Sequence, residues 1–112
     1  MDTQSLFSLA GRTALVTGGS RGIGKMIATG FIAQGAKVYI SSRKADVCEA
    51  VAEELGPNCI AVPQDISTVD GCKALAATMA EHESGIDILV NNAGAAWGES
   101  FETFPEAGWD KV

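Results

Sequence analysis

Thr17-Gly18-Gly19-Ser20-Arg21-Gly22-Ile23-Gly24 joins a buried strand to a helix through a turn dominated by glycine. Upstream, Thr13-Ala14-Leu15-Val16 is the continuous apolar run of a strand covered on both faces. Downstream, Ile23, Met26, Ile27 and Phe31 recur at helical spacing, which predicts an apolar stripe. At such a junction the first helical turn leaves backbone N–H groups without partners, and the positive end of the helix dipole points at the same spot. Missing side chains let a pyrophosphate approach the backbone. The stretch therefore predicts a nucleotide site, with Gly18, Ser20, Arg21, Gly22, Ile23 and Gly24 as candidate residues.

The pattern repeats along the chain. After Gly35, Lys37-Val38-Tyr39-Ile40-Ser41 predicts a second strand, and Val47, Val51 and Leu55 fall on one face of a helix stopped at Gly56-Pro57. Residues 59–62 predict a third strand. A hydroxyl in Ser67-Thr68-Val69-Asp70 caps the next helix, whose apolar stripe is Cys72, Leu75, Ala76 and Met79. Residues 86–90 predict a fourth strand, and from Ala95 the chain reads as loop before a helix around 106–112.

Strands alternating with helices demand a parallel sheet with right-handed crossovers, the α/β doubly wound (Rossmann-type) class. If the glycine turn marks the switch point, the strand order is 3-2-1-4. Ligands then bind beyond the carboxyl ends of the strands, where Thr17, Ser41, Asp65 and Asn91 converge.

With 112 residues the chain supports one domain, read as a nucleotide-binding core over 12–95 followed by loop and the start of a helix over 96–112. Fourteen acids against eight bases leave a net charge of −6, which removes the field that would attract nucleic acid or an anionic membrane. No stretch approaches the ~20 apolar residues of a membrane span, and a cytoplasmic location is expected. Cys48, Cys59 and Cys72 are odd in number and lack a C-x-x-C pair, so they read as reduced thiols and not as a metal site. His82, between Glu81 and Glu83, reads as solvated surface.

Gly18, Gly22 and Gly24 have the spacing G-x-x-x-G-x-G, not the commoner G-x-G-x-x-G. Together with Asn91-Asn92-Ala93-Gly94 at the end of the fourth strand, this resembles the short-chain dehydrogenase/reductase family. Phe7 to Arg12, Trp97-Gly98, Phe104-Pro105 and Trp109 look similar to its 3-oxoacyl-carrier-protein reductase branch, including the type associated with rhamnolipid synthesis. The resemblance covers only the family's N-terminal, cofactor-binding half. It implies that the carbonyl-reducing serine, tyrosine and lysine lie later, so no residue of this chain is assigned as catalytic. It also implies a small-molecule carbonyl or alcohol substrate and homo-oligomers at full length.

A pocket for NAD places an acid after the second strand to accept from the ribose hydroxyls. Here Ser41-Ser42-Arg43-Lys44 stands instead, and a guanidinium pairs a 2′-phosphate that a carboxylate would repel. Arg43 and Arg21 thus point to NADP(H). The resemblance further implies that Asp65 accepts from the adenine amino group, that Ile66 lines the ring, that Asn92 holds the inner ribose, and that Ala93 and Gly94 allow close backbone approach. A noncatalytic NADP(H)-binding module is the alternative reading, and a Rossmann-like methyltransferase is a third.

Overall fold

The computed structural model describes residues 8–92. Its elements run β1 (Thr13–Thr17), α1 (Gly22–Ala33), β2 (Lys37–Ser41), α2 (Ala45–Leu55), β3 (Cys59–Ala61), α3 (Val69–His82) and β4 (Ile88–Asn91). The four strands are parallel in the order β3-β2-β1-β4, with Thr17 beside both Ser41 and Asn91 at their carboxyl ends. This is the expected doubly wound order.

Side chains alternate between the faces of a strand. Ala14, Val16, Val38 and Ile40 meet Ala28 of α1 and Cys48, Val51 and Ala52 of α2 in one core. Leu15, Tyr39 and Val62 face the other way, onto Leu75 and Met79 of α3. The chain changes faces because the step from β3 back across to β4 reverses direction while the crossover stays right-handed. At the start of α3, Thr68 Oγ1 accepts from the Gly71 N–H at 3.0 Å, the hydroxyl cap that the sequence predicts.

Several boundaries and faces differ from the sequence reading, among them Ala76, which is exposed on α3 instead of joining its apolar stripe. On α1, Ile23 is 65% exposed and Met26 71%, whereas Gly24 and Ala28 are buried. Small residues bring this helix close to the sheet, so its apolar stripe is rotated toward Ile27, Phe31 and Ile32. Strand β4 begins at Ile88 instead of 86, since Asp87 turns its carboxylate onto the Thr13 N–H at 2.9 Å and closes the ladder there. Strand β3 stops at Ala61, one residue early, with Pro63 removing a ladder donor just beyond.

At the amino ends of the strands a polar cluster fixes the α3 terminus. Buried Tyr39 donates its hydroxyl to Glu83 Oε2 at 2.6 Å, and Lys37 Nζ reaches the same oxygen at 2.7 Å. Lys37, then Tyr39, hold the Glu83 carboxyl below its usual range, and burial followed by Glu83 pushes the Tyr39 hydroxyl up. His82 is exposed as expected, yet its ring also meets the Tyr39 ring edge-on at 5.8 Å.

Candidate functional site: a phosphate cradle at the carboxyl ends of the strands

The glycine turn is built by close contacts. Beyond β1, the Gly18 N–H donates to the Ser41 carbonyl at 2.7 Å, which ties the turn to the end of β2. Gly22 has φ +60°, a conformation that L side chains rarely adopt. At Gly24 a Cβ would run into the Gly18 carbonyl and lie 2.9 Å from Asn92 Nδ2, so the first turn of α1 packs directly on backbone. Arg21, the N-cap of α1, supplies no side-chain cap, which leaves the early amides for a ligand. Gly18, Ser20, Arg21, Gly22 and Ile23 all line one cavity of about 650 Å³.

Three cations of that cavity make no ion pair among the described residues, as is also true of the exposed Lys73 on α3. Arg12, Lys25 and Lys37 are each paired with a carboxylate. Arg21, Arg43 and Lys44 line the cavity and make no ion pair among the described residues. Lys44 is also the N-cap of α2 and offers no side-chain cap, so a second helix start faces the same space. The donor set fits an anion: cations without an ion pair among the described residues, backbone without side chains, and two helix starts.

Asp65, Ile66 and Asn92 line the cavity too. Asp65 Oδ1 accepts from the Ser67 N–H at 3.0 Å, and Ser67 foremost, with Arg43 contributing, keeps its carboxyl below the usual range. Asp65 therefore stays an ionised acceptor. Thr17 and Asn91 do not join this cavity, contrary to expectation. Thr17 Oγ1 lies 3.1 Å from Asn91 Oδ1 and accepts from the Asn92 N–H at 3.0 Å, so these groups bind strand ends to each other and line a different cavity behind them. Ser41 is at the crevice, but its hydroxyl is spent on the Val62 carbonyl at 2.8 Å. Ala93 and Gly94 lie outside the described residues.

The family model for short chain dehydrogenase matches residues 12–112. The chain belongs to the short-chain dehydrogenase/reductase family. It is 51% identical over 108 residues to the rhamnolipids biosynthesis 3-oxoacyl-[acyl-carrier-protein] reductase of Pseudomonas aeruginosa, covering 95% of this chain and 42% of that protein. It is 36% identical to the 5-keto-D-gluconate 5-reductase of Escherichia coli. Among solved structures, the Pseudomonas aeruginosa RhlG/NADP active-site complex matches with a TM-score of 0.78 at 51% identity, over 95% of this chain and 42% of that one. The Gluconobacter frateurii L-sorbose reductase, complexed with NADPH and L-sorbose, matches with a TM-score of 0.76 at 32% identity, over 94% of this chain and 41% of that one. The chain thus spans about two-fifths of the length of these relatives, which are oxidoreductases by name. The branch resemblance drawn from Phe7 to Arg12 and Trp97 agrees with the first of them.

Within this short-chain dehydrogenase chain the sequence reading overlooked Lys44, Val47, Gln64 and Ser67, which also line the cradle. Val47 has the spacing of a core residue but sits at the start of α2, where the helix rises past the cavity mouth and leaves it exposed. For Lys44 the available signal was its place directly after Arg43 with no acid beside it.

Proposed function

We propose that the chain is the NADP(H)-binding half of a short-chain oxidoreductase that moves hydride between the nicotinamide and a carbonyl or secondary alcohol carbon. The similarity to a 3-oxoacyl-[acyl-carrier-protein] reductase supports 3-oxoacyl thioesters as the substrate class, and the full-length protein as a homo-oligomer follows from the family resemblance. One observation carries the cofactor assignment: Arg21, Arg43 and Lys44 line one cavity and make no ion pair among the described residues, in a chain of net charge −6.

The bound nicotinamide supplies the hydride chemistry. The residues of this chain hold its carrier. Backbone N–H groups at the turn and at the start of α1 take the pyrophosphate, and Arg21 and Arg43 grip the 2′-phosphate with Lys44 adding charge. Asp65 accepts from the adenine amino group, Ile66 lies along the ring, and Asn92 reaches the inner ribose. Ala93 and Gly94 continue that contact. The only tyrosine is not available for catalysis, because Tyr39 is buried in β2 with its hydroxyl committed to Glu83. We therefore assign no catalytic residue to this chain.

The test is a pair of dissociation constants, for NADPH and NADH, measured by calorimetry at fixed salt. A charge-assisted hydrogen bond contributes ~1.5–3 kcal/mol, so Arg43→Ala weakens NADPH binding by about 10- to 100-fold and barely changes NADH. Equal losses for both cofactors would assign Arg43 to the fold and refute the reading.

A further inference from the structure

Glycine is among the poorest helix formers, yet Gly71 stands buried in the first turn of α3. With Thr68 as N-cap it holds the third helical position, where a capping box would carry Glu or Gln. Thr68 Oγ1 accepts the Gly71 N–H at 3.0 Å, so the cap forms without that side chain. What glycine provides here is room. A Cβ at Gly71 would run into the Asp65 carbonyl, so the chain leaving β3 crosses the start of α3 in direct backbone contact.

The crossing segment is a wall of the cradle, since Asp65, Ile66 and Ser67 all line its cavity. Three further contacts hold it against the first turn of α3. Asp65 Oδ1 accepts the Ser67 N–H at 3.0 Å, the Ile66 carbonyl accepts from Cys72 Sγ at 3.4 Å, and the Thr68 carbonyl accepts the Cys72 N–H at 3.1 Å. The helix itself is anchored, because Leu75 and Met79 are buried with Leu15, Tyr39 and Val62. Asp65 and Ser67 are exposed, so a side chain added at Gly71 displaces the segment and not the helix.

The carbonyl that Gly71 admits belongs to the same residue as the carboxylate that faces the cradle. An N–H···O bond spans only about 2.7–3.2 Å, and a backbone shift of about an ångström removes it. Resting on the cofactor reading above, we propose that Gly71 is a positioning residue of the cradle: by leaving room for the Asp65 carbonyl, it holds the Asp65 carboxylate where it accepts from the adenine amino group. Gly71 touches no cofactor atom. It acts through Asp65.

The experiment measures dissociation constants of the full chain for NADPH, NADH and reduced nicotinamide hypoxanthine dinucleotide phosphate, which carries oxygen in place of the adenine amino group. Wild type is expected to bind NADPH about 10-fold more tightly than the hypoxanthine analogue. Gly71→Ala lowers that preference to about 2-fold or less and weakens NADPH and NADH by the same factor, so the preference for the 2′-phosphate survives. Gly30→Ala is the control, because a Cβ there meets nothing within 4 Å, and it leaves every ratio unchanged. If Gly71→Ala no longer melts cooperatively, Thr68→Val decides: it removes the acceptor of the Gly71 N–H and is expected to cut the adenine preference by about 3-fold. A folded Gly71→Ala that weakens NADPH yet keeps its full preference for adenine overturns the proposal, as does a wild type that does not distinguish the two bases. Failure of the cofactor reading is distinct, because wild type would then bind NADPH no more tightly than NADH, whatever its preference between adenine and hypoxanthine.

Discussion

At the amino ends of the strands a set of charged groups has found partners: Lys37 and Tyr39 share Glu83, and Asp87 accepts from Thr13 while lying 3.7 Å from Arg12. At the carboxyl ends, Arg21, Arg43 and Lys44 line an open cavity with no ion pair among the described residues. The same sheet therefore carries two kinds of polar cluster. One satisfies itself and holds the fold, and the other makes no ion pair among the described residues. The difference teaches that a surplus of cations matters less than whether carboxylates have been placed to answer them.

The largest expected effect strikes the cradle backbone. In Gly24→Val the added side chain meets the Gly18 carbonyl, which cannot rotate away. Overpacking costs about 1–3 kcal/mol and occasionally more, so NADPH affinity falls by about 100-fold or more while the amino-end cluster survives. Calorimetry measures the first effect. Amide exchange at β1 and β2 measures the second, and equal damage at both ends would dissolve the comparison.

Glu83→Gln is the matching strike on the self-satisfied end. Because the folded-state carboxyl titrates below its usual range, Glu83 contributes stability at every pH above its unfolded value near ~4.3, and that contribution is lost as pH falls through the lower folded value. The variant should thus melt earlier than wild type at pH 7 and converge with it as pH falls through the lowered folded-state value. NADPH affinity should stay where it was. Thermal melts across that range check it, and a stability gap that persists in acid would mean the carboxylate charge is not what the cluster uses.

Smaller effects sharpen the contrast. Lys44→Gln removes a compact charge on a flexible stem from the cradle, and should weaken NADPH by about 2- to 5-fold, with NADH unchanged. Arg12→Ala removes an exposed contact of 3.7 Å, worth ~0–1 kcal/mol, and should leave the melting temperature nearly unmoved.

How much of this was legible in the sequence depends on how local the signal is. The strand order followed from alternating apolar runs and the glycine turn, because each occupies a few consecutive residues. The place of Arg43 at the cavity was legible for the same reason, as a base directly after the second strand, and its role toward a 2′-phosphate belongs to the proposal. The rotation of α1 was not, since Ile23 and Met26 keep helical spacing with Ile27 and only the sheet reveals that Gly24 and Ala28 face it. Nor was the Glu83 cluster: Glu83 lies 44 residues from Tyr39 and 46 from Lys37, and no local pattern joins them. Asn91 and Thr17 were expected to converge on the crevice with Ser41 and Asp65, whereas the structure bonds them to each other at the strand ends.

The central claim is that the cradle cations await a phosphate, and the most direct measurement is the ratio of NADPH to NADH dissociation constants in wild type and in Arg43→Asp. Aspartate at this position repels a 2′-phosphate and offers an acceptor to free ribose hydroxyls. The account predicts that wild type prefers NADPH and that the variant prefers NADH. A wild type that already favours NADH, or a variant that loses both cofactors in equal measure, would contradict it.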